Sequence, residues 1–293
     1  MRRSRLPVAL AAMRPLHWTK NGVLFAALVF DHRLFELDPL VRTVVAVIVF
    51  CALSSGIYLF NDVRDAERDR LHPIKRQRAV AAGTLSRATA LAMAAALIAA
   101  GLVVAYLVRP EFLLVAAWYV GLMILYSLWL KQWVLVDVLA IAAGFVLRAA
   151  AGAVAIGVEI SPWLLVCTML LALLLGFGKR RHELLTLRGR AVRHRANLGA
   201  YTARLLDQLI GTSAAATVIA YAIYTFDAAS VPRNHSMMLT IPFVVYAVFR
   251  YLHLVYARRL GGSPEILLVR DRPLLASILL WGIGSVLILY IWA

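Results

Sequence analysis

Cysteine, acidic residues and the motifs of common soluble enzymes are all scarce in this 293-residue chain. Its two cysteines, Cys51 and Cys167, lie inside apolar runs, so they form neither a disulfide framework nor a metal-ligand spacing. The seven histidines, His17, His32, His72, His182, His194, His235 and His253, show no HExxH spacing, and GxSxG, Walker and GxGxxG loops are absent. Hydrolase, ATPase and dinucleotide chemistries thereby lose their usual support. No Gly/Ser linker or low-complexity tract breaks the chain, which points to one domain over residues 1–293. Acids number 15 against 31 lysines and arginines, a formal charge of +16. Because those cations are parcelled into short loops, the expected partners are anionic headgroups and phosphorylated substrates, not nucleic acid.

What the chain has in excess is apolar length. At 62% hydrophobic with a mean hydropathy of +0.80, it belongs to the membrane class. Runs near 18–30, 41–60, 88–108, 112–130, 134–157, 162–178, 209–227, 238–256 and 274–292 approach the length that crosses a bilayer. The expectation is an all-α integral membrane protein of nine spans in a multi-pass cell membrane. Of the 31 basic residues, 26 fall at the amino terminus and in the segments 62–87, 131, 179–204 and 250–272, and only Arg33, Arg42, Arg109 and Arg233 on the opposite side. By the positive-inside rule the amino terminus and both long basic loops are cytoplasmic and the carboxyl terminus is outside. Residues 1–15 start like an export signal, but the apolar run is short and ends at Arg14-Pro15, so a cytoplasmic or interfacial segment is expected.

One polar stretch stands out, NDVRDAERDRLHPIKRQRAVAAG at 61–83, directly after an almost uncharged span. If it is helical, Asp62, Asp65 and Asp69 share a stripe within about 60°. Three carboxylates on one face repel, and a hard divalent cation with oxygen ligands offsets that repulsion. Mg2+ keeps waters and bridges phosphates, and the following Lys75, Arg76 and Arg78 suit phosphate oxygens, so the pairing reads as a diphosphate-metal site with Mn2+ as the alternative ion. The competing explanation is a salt-bridged helix end, with Asp65 neutralised by Arg68 and Asp62 by Arg64.

The other long basic loop, Gly178–Tyr201, puts Lys179 and Arg180 on the same helix face as Glu183, its only acid. Arg148 lies in mid-span with Asp137 within about 20° on the same face but three turns away, a stripe that suits a cavity wall or partners on other helices. RPLHWTKN supplies Arg14, Trp18, Lys20 and Asn21, and Tyr126 and Lys131 end the fourth run. Trp18 reads as an interfacial belt residue, and Lys20 fits either snorkelling to headgroups or reaching the phosphate cluster of the aspartate loop. Arg270-Asp271-Arg272 fits a helix start as well as a site.

NDVRDAERDRLHPIKRQR resembles the first aspartate-rich motif of the UbiA superfamily of intramembrane prenyltransferases. RPLHWTKN, YSLWLK, LRAAAG, FGKRRHEL, AYT and SPEILLVRDR resemble its polyprenyl-phosphate phosphoribosyltransferase branch. The resemblance implies a nine-helix bundle with a central cavity open to the cytoplasmic side, and Mg2+-dependent transfer of 5-phosphoribosyl from phosphoribosyl pyrophosphate (PRPP) to a polyprenyl phosphate. It implies Asn61, Asp62, Asp65 and Asp69 at the metal, the aspartates and Lys179 as catalytic groups, and Lys20, Asn21, Lys75, Arg78, Lys131, Lys179 and Arg180 on donor phosphates. Tyr126 and Glu183 would touch the sugar, and Arg14, Trp18 and Arg148 the acceptor lipid. Two alternatives stay open: isoprenoid transfer from a diphosphate to an aromatic acceptor, and a non-enzymatic transporter. A homo-oligomer is compatible with all three.

Overall fold

The computed structural model describes residues 7–71, 75–187 and 196–292, and all regular structure among them is helical. The expectations for His72-Pro73 and for residues 188–195 lie outside the described residues. A short α1 (Val8–Ala12) leads into a ten-residue 3-10 segment (Pro15–Leu24) and α2 (Phe25–Phe30). Then come α3 (Leu37–Arg64), the small α4 (Ala66–Arg70), α5 (Arg87–Val108), α6 (Pro110–Leu128) and α7 (Val136–Ile156). The chain ends through α8 (Pro162–Leu187), α9 (Ala203–Asp227), α10 (Ile241–Tyr256), α11 (Pro264–Arg270) and α12 (Arg272–Ile291). Starts follow local chemistry: Ser86, Thr202 and Asp271 accept the backbone N–H groups of Thr89, Leu205 and Leu274, and Pro110, Pro264 and Pro273 occupy early positions where no donor is lost.

Among the described residues, eight helices are long and apolar enough to cross a membrane, where nine runs were expected. The difference is the 18–30 run, built as 3-10 turns followed by six α-helical residues. Its first turn enters from Arg14 in the left-handed region (φ 58°), and Pro15 opens it. This segment is held by packing, not by its own length: Leu24 is fully buried, and the main chain of Leu24 lies where a Cβ on Gly152 of α7 would sit.

Burial separates core from rim. In α3 and α7, 56% of the span residues are buried, against 17% in α5, so the first two are central and the last faces the surroundings. One apolar core joins Phe50 and Leu53 of α3 to Phe112 and Tyr119 of α6 and Ala151 of α7. A second joins Val138 of α7 to Leu174 and Phe177 of α8, Ile210 of α9 and Tyr251 of α10. Small residues permit the closest approaches, as expected where helix association rests on packing. At 28 and 26 residues, α3 and α8 extend ~42 and ~39 Å, longer than a hydrocarbon core of about 30 Å. Their last turns therefore overshoot the apolar layer, carrying Asn61-Asp62 and Lys179–Glu183 to one end of the bundle.

Replacing Gly152 by alanine drives a methyl into the Leu24 backbone, which cannot yield as a side-chain tip would. The expected outcome is a loss of roughly 1–3 kcal/mol, seen as a lower melting temperature in detergent, whereas Gly211→Ala, with open space at the same distance, leaves it unchanged or higher.

Candidate active site

Helix α3 stops because Asp65 leaves helical geometry (φ −90°, ψ 3°), and α4 restarts one residue later. This break divides the expected single stripe. Asp62 and Asp69, both buried, converge on one nitrogen: Arg78 Nη1 lies 3.1 Å from Asp62 Oδ1 and 2.7 Å from Asp69 Oδ2. Asp62 also takes the guanidinium of Arg14. Asp65 instead meets Lys131, whose Nζ donates to both carboxylate oxygens at 2.8 Å and to Asn61 Oδ1 at 3.2 Å. The neighbouring arginines go elsewhere. Arg64 donates to the Ser127 and Leu128 carbonyls and so closes the end of α6, while Arg70 and Arg87 pair with the exposed Glu67. The counter-charges for Asp62, Asp65 and Asp69 thus come from distant segments, as a built site requires and a self-neutralised helix end does not.

Among the described residues no cage of three or more metal-ligating side chains exists. The donor set nevertheless fits Mg2+ or Mn2+: two carboxylates already converge on one guanidinium nitrogen, a third with an amide oxygen stands on the adjoining turn, and every donor is oxygen. Such ions take one or two carboxylates and complete their shell with water and phosphate.

A second cluster faces this one across Tyr58. The Arg14 guanidinium lies 5.0 Å from the Tyr58 ring centre, and His17 meets the same ring edge-on at 5.4 Å. Beyond it, Glu265 of α11 sits 3.4 Å from His17 Nε2 and 3.8 Å from Lys20 Nζ. Lys179 is close enough to interact with Lys20 and Glu265, yet it makes no hydrogen bond or ion pair among the described residues. Burial, helped by Lys20, pushes the His17 imidazole down to about 4, so it is neutral at pH 7. Burial opposes charge on Glu265, but Lys20 and Lys179 outweigh it and leave the carboxyl below its ordinary value.

Packing gives several of the expected site residues partners within the protein. Arg180, placed on donor phosphate from the sequence, is 2% exposed, with Nε 2.7 Å from Asp137 Oδ2 and another arm on Glu183. It is a strut between α7 and α8, and Glu183, expected at the sugar, is tied to it. Tyr201 completes the strut: its hydroxyl donates to Asp137 Oδ1 at 2.9 Å and accepts the Leu135 N–H at 2.7 Å, fixing Leu135 at a φ of 66°. Burial and the adjacent Asp137 push the Tyr201 hydroxyl up to about 12, so it stays a donor. Tyr126 lies close to Arg180. Arg148 does not face Asp137. It donates to Asn21 Oδ1 at 2.8 Å, to Tyr119 OH at 2.6 Å and to Gly144 O at 3.1 Å, and both Asn21 and Arg148 are buried. Trp18 is a further tie, donating to Ser55 Oγ at 3.0 Å. Lys75 opens the 3-10 turn three residues before Arg78, and Asp271, within the Arg270-Asp271-Arg272 cluster, pairs with Arg250 at 2.8 Å and caps α12.

Sequence reasoning missed Glu265, Tyr58, Tyr201 and Tyr251. The available signal for Glu265 was its place after Ser263-Pro264, an acid at a helix start inside a cationic segment.

The family model for "UbiA prenyltransferase family" matches residues 22–268. The chain belongs to the UbiA prenyltransferase family. Curated relatives named decaprenyl-phosphate phosphoribosyltransferase include one from Corynebacterium glutamicum, 33% identical over 96% of this chain and 86% of that one, and one from Mycolicibacterium smegmatis, 32% identical over 94% and 90%. Among solved structures, a UbiA homolog from Archaeoglobus fulgidus bound to GPP and Mg2+ superposes with a TM-score of 0.73, covering 96% of this chain and 99% of that one at 20% identity. At that identity the likeness shows the all-helical UbiA fold. This UbiA-family chain is therefore an integral membrane transferase whose acidic and basic clusters gather at one end of the bundle.

Neutral His17 has a direct consequence. Its folded value lies below the ordinary 6.5, so between pH 6.5 and 4 the unfolded chain binds the extra proton and stability falls as pH falls. Melting temperature against pH will show this acid loss in the native protein and a shallower one in His17→Gln; an identical slope contradicts it.

Proposed function

We propose that the chain transfers 5-phosphoribosyl from PRPP to a polyprenyl phosphate with release of pyrophosphate, in one domain spanning residues 1–293. The observation that carries this reading is the convergence of Asp62 and Asp69 on a single cationic nitrogen, with Asp65 and Lys131 adjoining. Its support is alignment over 92–96% of the chain with relatives named decaprenyl-phosphate phosphoribosyltransferase. Asn61, Asp62, Asp65 and Asp69 would hold Mg2+, which when bound supplies Lewis-acid neutralisation of the departing pyrophosphate. Arg78 and Lys131, already beside those carboxylates, are placed to move onto pyrophosphate oxygens, and Lys20 and Lys179 to hold remaining phosphate charge. The C1–O bond to pyrophosphate breaks as an oxygen of the lipid phosphate bonds to C1. That oxygen is already anionic near neutral pH, so positioning and charge carry the reaction without a strong base.

The proposal includes orientation and a ninth crossing. The basic distribution puts the site end at the cytoplasm and the carboxyl terminus outside, in a cell membrane. The segment 18–30 runs from the Arg14–Asp62 end of α3 toward Leu34, whose N–H donates to Tyr290 OH at 2.9 Å near the far end of α12, which supports counting it as a span.

The test is turnover of labelled PRPP with a polyprenyl phosphate by purified protein. Asp65→Ala is expected to lose activity by about 100-fold or more, since it removes a metal ligand and the partner of Lys131. Glu67→Ala, which removes an exposed partner of Arg70 and Arg87, keeps most of it. Equal loss in the two, or product only from a prenyl diphosphate and 4-hydroxybenzoate, overturns the reading.

A further inference from the structure

The backbone between α10 and α11, residues 257–263, lies across the last turns of α8 and delivers Glu265 to His17 and Lys20. Most of this strap is exposed, and its one buried residue is Gly261, where it touches α8. A Cβ on Gly261 would come within 2.7 Å of the Gly178 carbonyl oxygen, and one on Gly262 within 2.5 Å of the His182 ring. Gly178 and His182 are four residues apart on one helix face, so two successive glycines let the strap lie flat along it. His182 then fastens it, with Nδ1 2.9 Å from the Arg259 carbonyl oxygen. Because a carbonyl only accepts, the imidazole donates from Nδ1. Arg259 itself holds a left-handed φ of 56°, which its side chain opposes, so this turn needs an external tie. Three residues beyond Gly262, Glu265 meets His17 Nε2 at 3.4 Å and Lys20 Nζ at 3.8 Å. Both distances are near the outer limit of such contacts, and a small displacement of the strap breaks them.

We propose that His182 is a positioning residue: by fastening the 257–263 strap to α8, it sets Glu265 against His17 and Lys20. The imidazole acts through the backbone it holds. That route is short. From the bonded carbonyl of Arg259 the chain passes Leu260, the two glycines seated on α8, Ser263 and Pro264, whose ring fixes its own φ, and arrives at Glu265. The far end of α11 is held separately, by the Arg250–Asp271 ion pair at 2.8 Å, which leaves the strap in control of the Glu265 end. Glu265 in turn holds Lys20 directly and through His17, whose Nδ1 lies 3.5 Å from Lys20 Nζ. Within the proposed transfer, on which only this consequence rests, His182 thereby governs donor affinity from outside the site.

The experiment is a double-mutant cycle on the purified full-length protein, read as melting temperature in detergent. His182→Ala is expected to lower it by about 2–4 °C, as loss of one hydrogen bond gives, and Glu265→Gln by a similar amount. If the strap couples the two, Glu265 has already left its cations in His182→Ala, and adding Glu265→Gln lowers the temperature little further. Additive losses, the rule for residues that share no partner, reduce His182 to a local support and overturn the proposal. His182→Asn puts an amide donor where Nδ1 stood and is expected to restore both the melting temperature and the coupling. Gly262→Ala drives a methyl into the His182 ring and is expected to make Glu265→Gln equally mild with His182 still present; an undiminished effect of Glu265→Gln there overturns the docking of the strap. In PRPP turnover, His182→Ala is expected to raise KM about fivefold with kcat little changed, matching Glu265→Gln, and an unchanged KM overturns the link to donor affinity. Because the cycle needs no substrate, failure of PRPP as a donor would sink the transferase reading and leave the strap result standing.

Discussion

The sharing of Arg78 between Asp62 and Asp69 is the constraint on which the site depends. Two carboxylates buried near the end of an apolar helix cannot stay ionised without a cation between them, and removing one partner of such a pair costs about 3–5 kcal/mol. The chain meets this need with groups from far along the sequence: Arg14 before the first span, Arg78 after α4, and Lys131 between α6 and α7. Each of these cations is also a group that suits phosphate. Under the proposed transfer, the cations that offset these buried carboxylates would be the same groups that meet phosphate oxygens.

The scaffold supports this by separating struts from working groups. Asp137, Arg180 and Tyr201 lock α7 to α8 and to the turn before α9, and Arg148 with Asn21 and Tyr119 locks α7 to the 3-10 segment and α6. Arg148, Asn21, Tyr119 and Tyr201 meet one another or the adjoining residues through hydrogen bonds, and Arg180 Nε faces Asp137 Oδ2 as an ion pair at 2.7 Å. Lys20 approaches Glu265 at 3.8 Å, and Lys179 makes no ion pair among the described residues.

Much of the fold was legible because bilayer crossing needs long apolar runs, and eight of the nine runs are long helices. The run at 18–30 was legible as apolar but not as 3-10, because its geometry comes from packing against Gly152 and from Pro15, which hydropathy does not encode. The aspartate motif was legible as a charge cluster, and its split at Asp65 was not, since a single residue leaving helical geometry has no periodicity to betray it. The partners of Arg180 and Arg148 were not legible, because Asp137 and Asn21 are 43 and 127 residues away in sequence and only the fold brings them together. Glu265 escaped for the mirror reason, an acid whose cations lie near the other end of the chain.

The most direct test of the central claim follows Mn2+, as a paramagnetic stand-in for Mg2+, by electron paramagnetic resonance on the purified protein with PRPP. The account predicts a protein-bound Mn2+ signal that appears with PRPP and is lost in Asp62→Asn and in Asp69→Asn while the fold remains intact. Binding of Mn2+ and PRPP unchanged in both variants would contradict it.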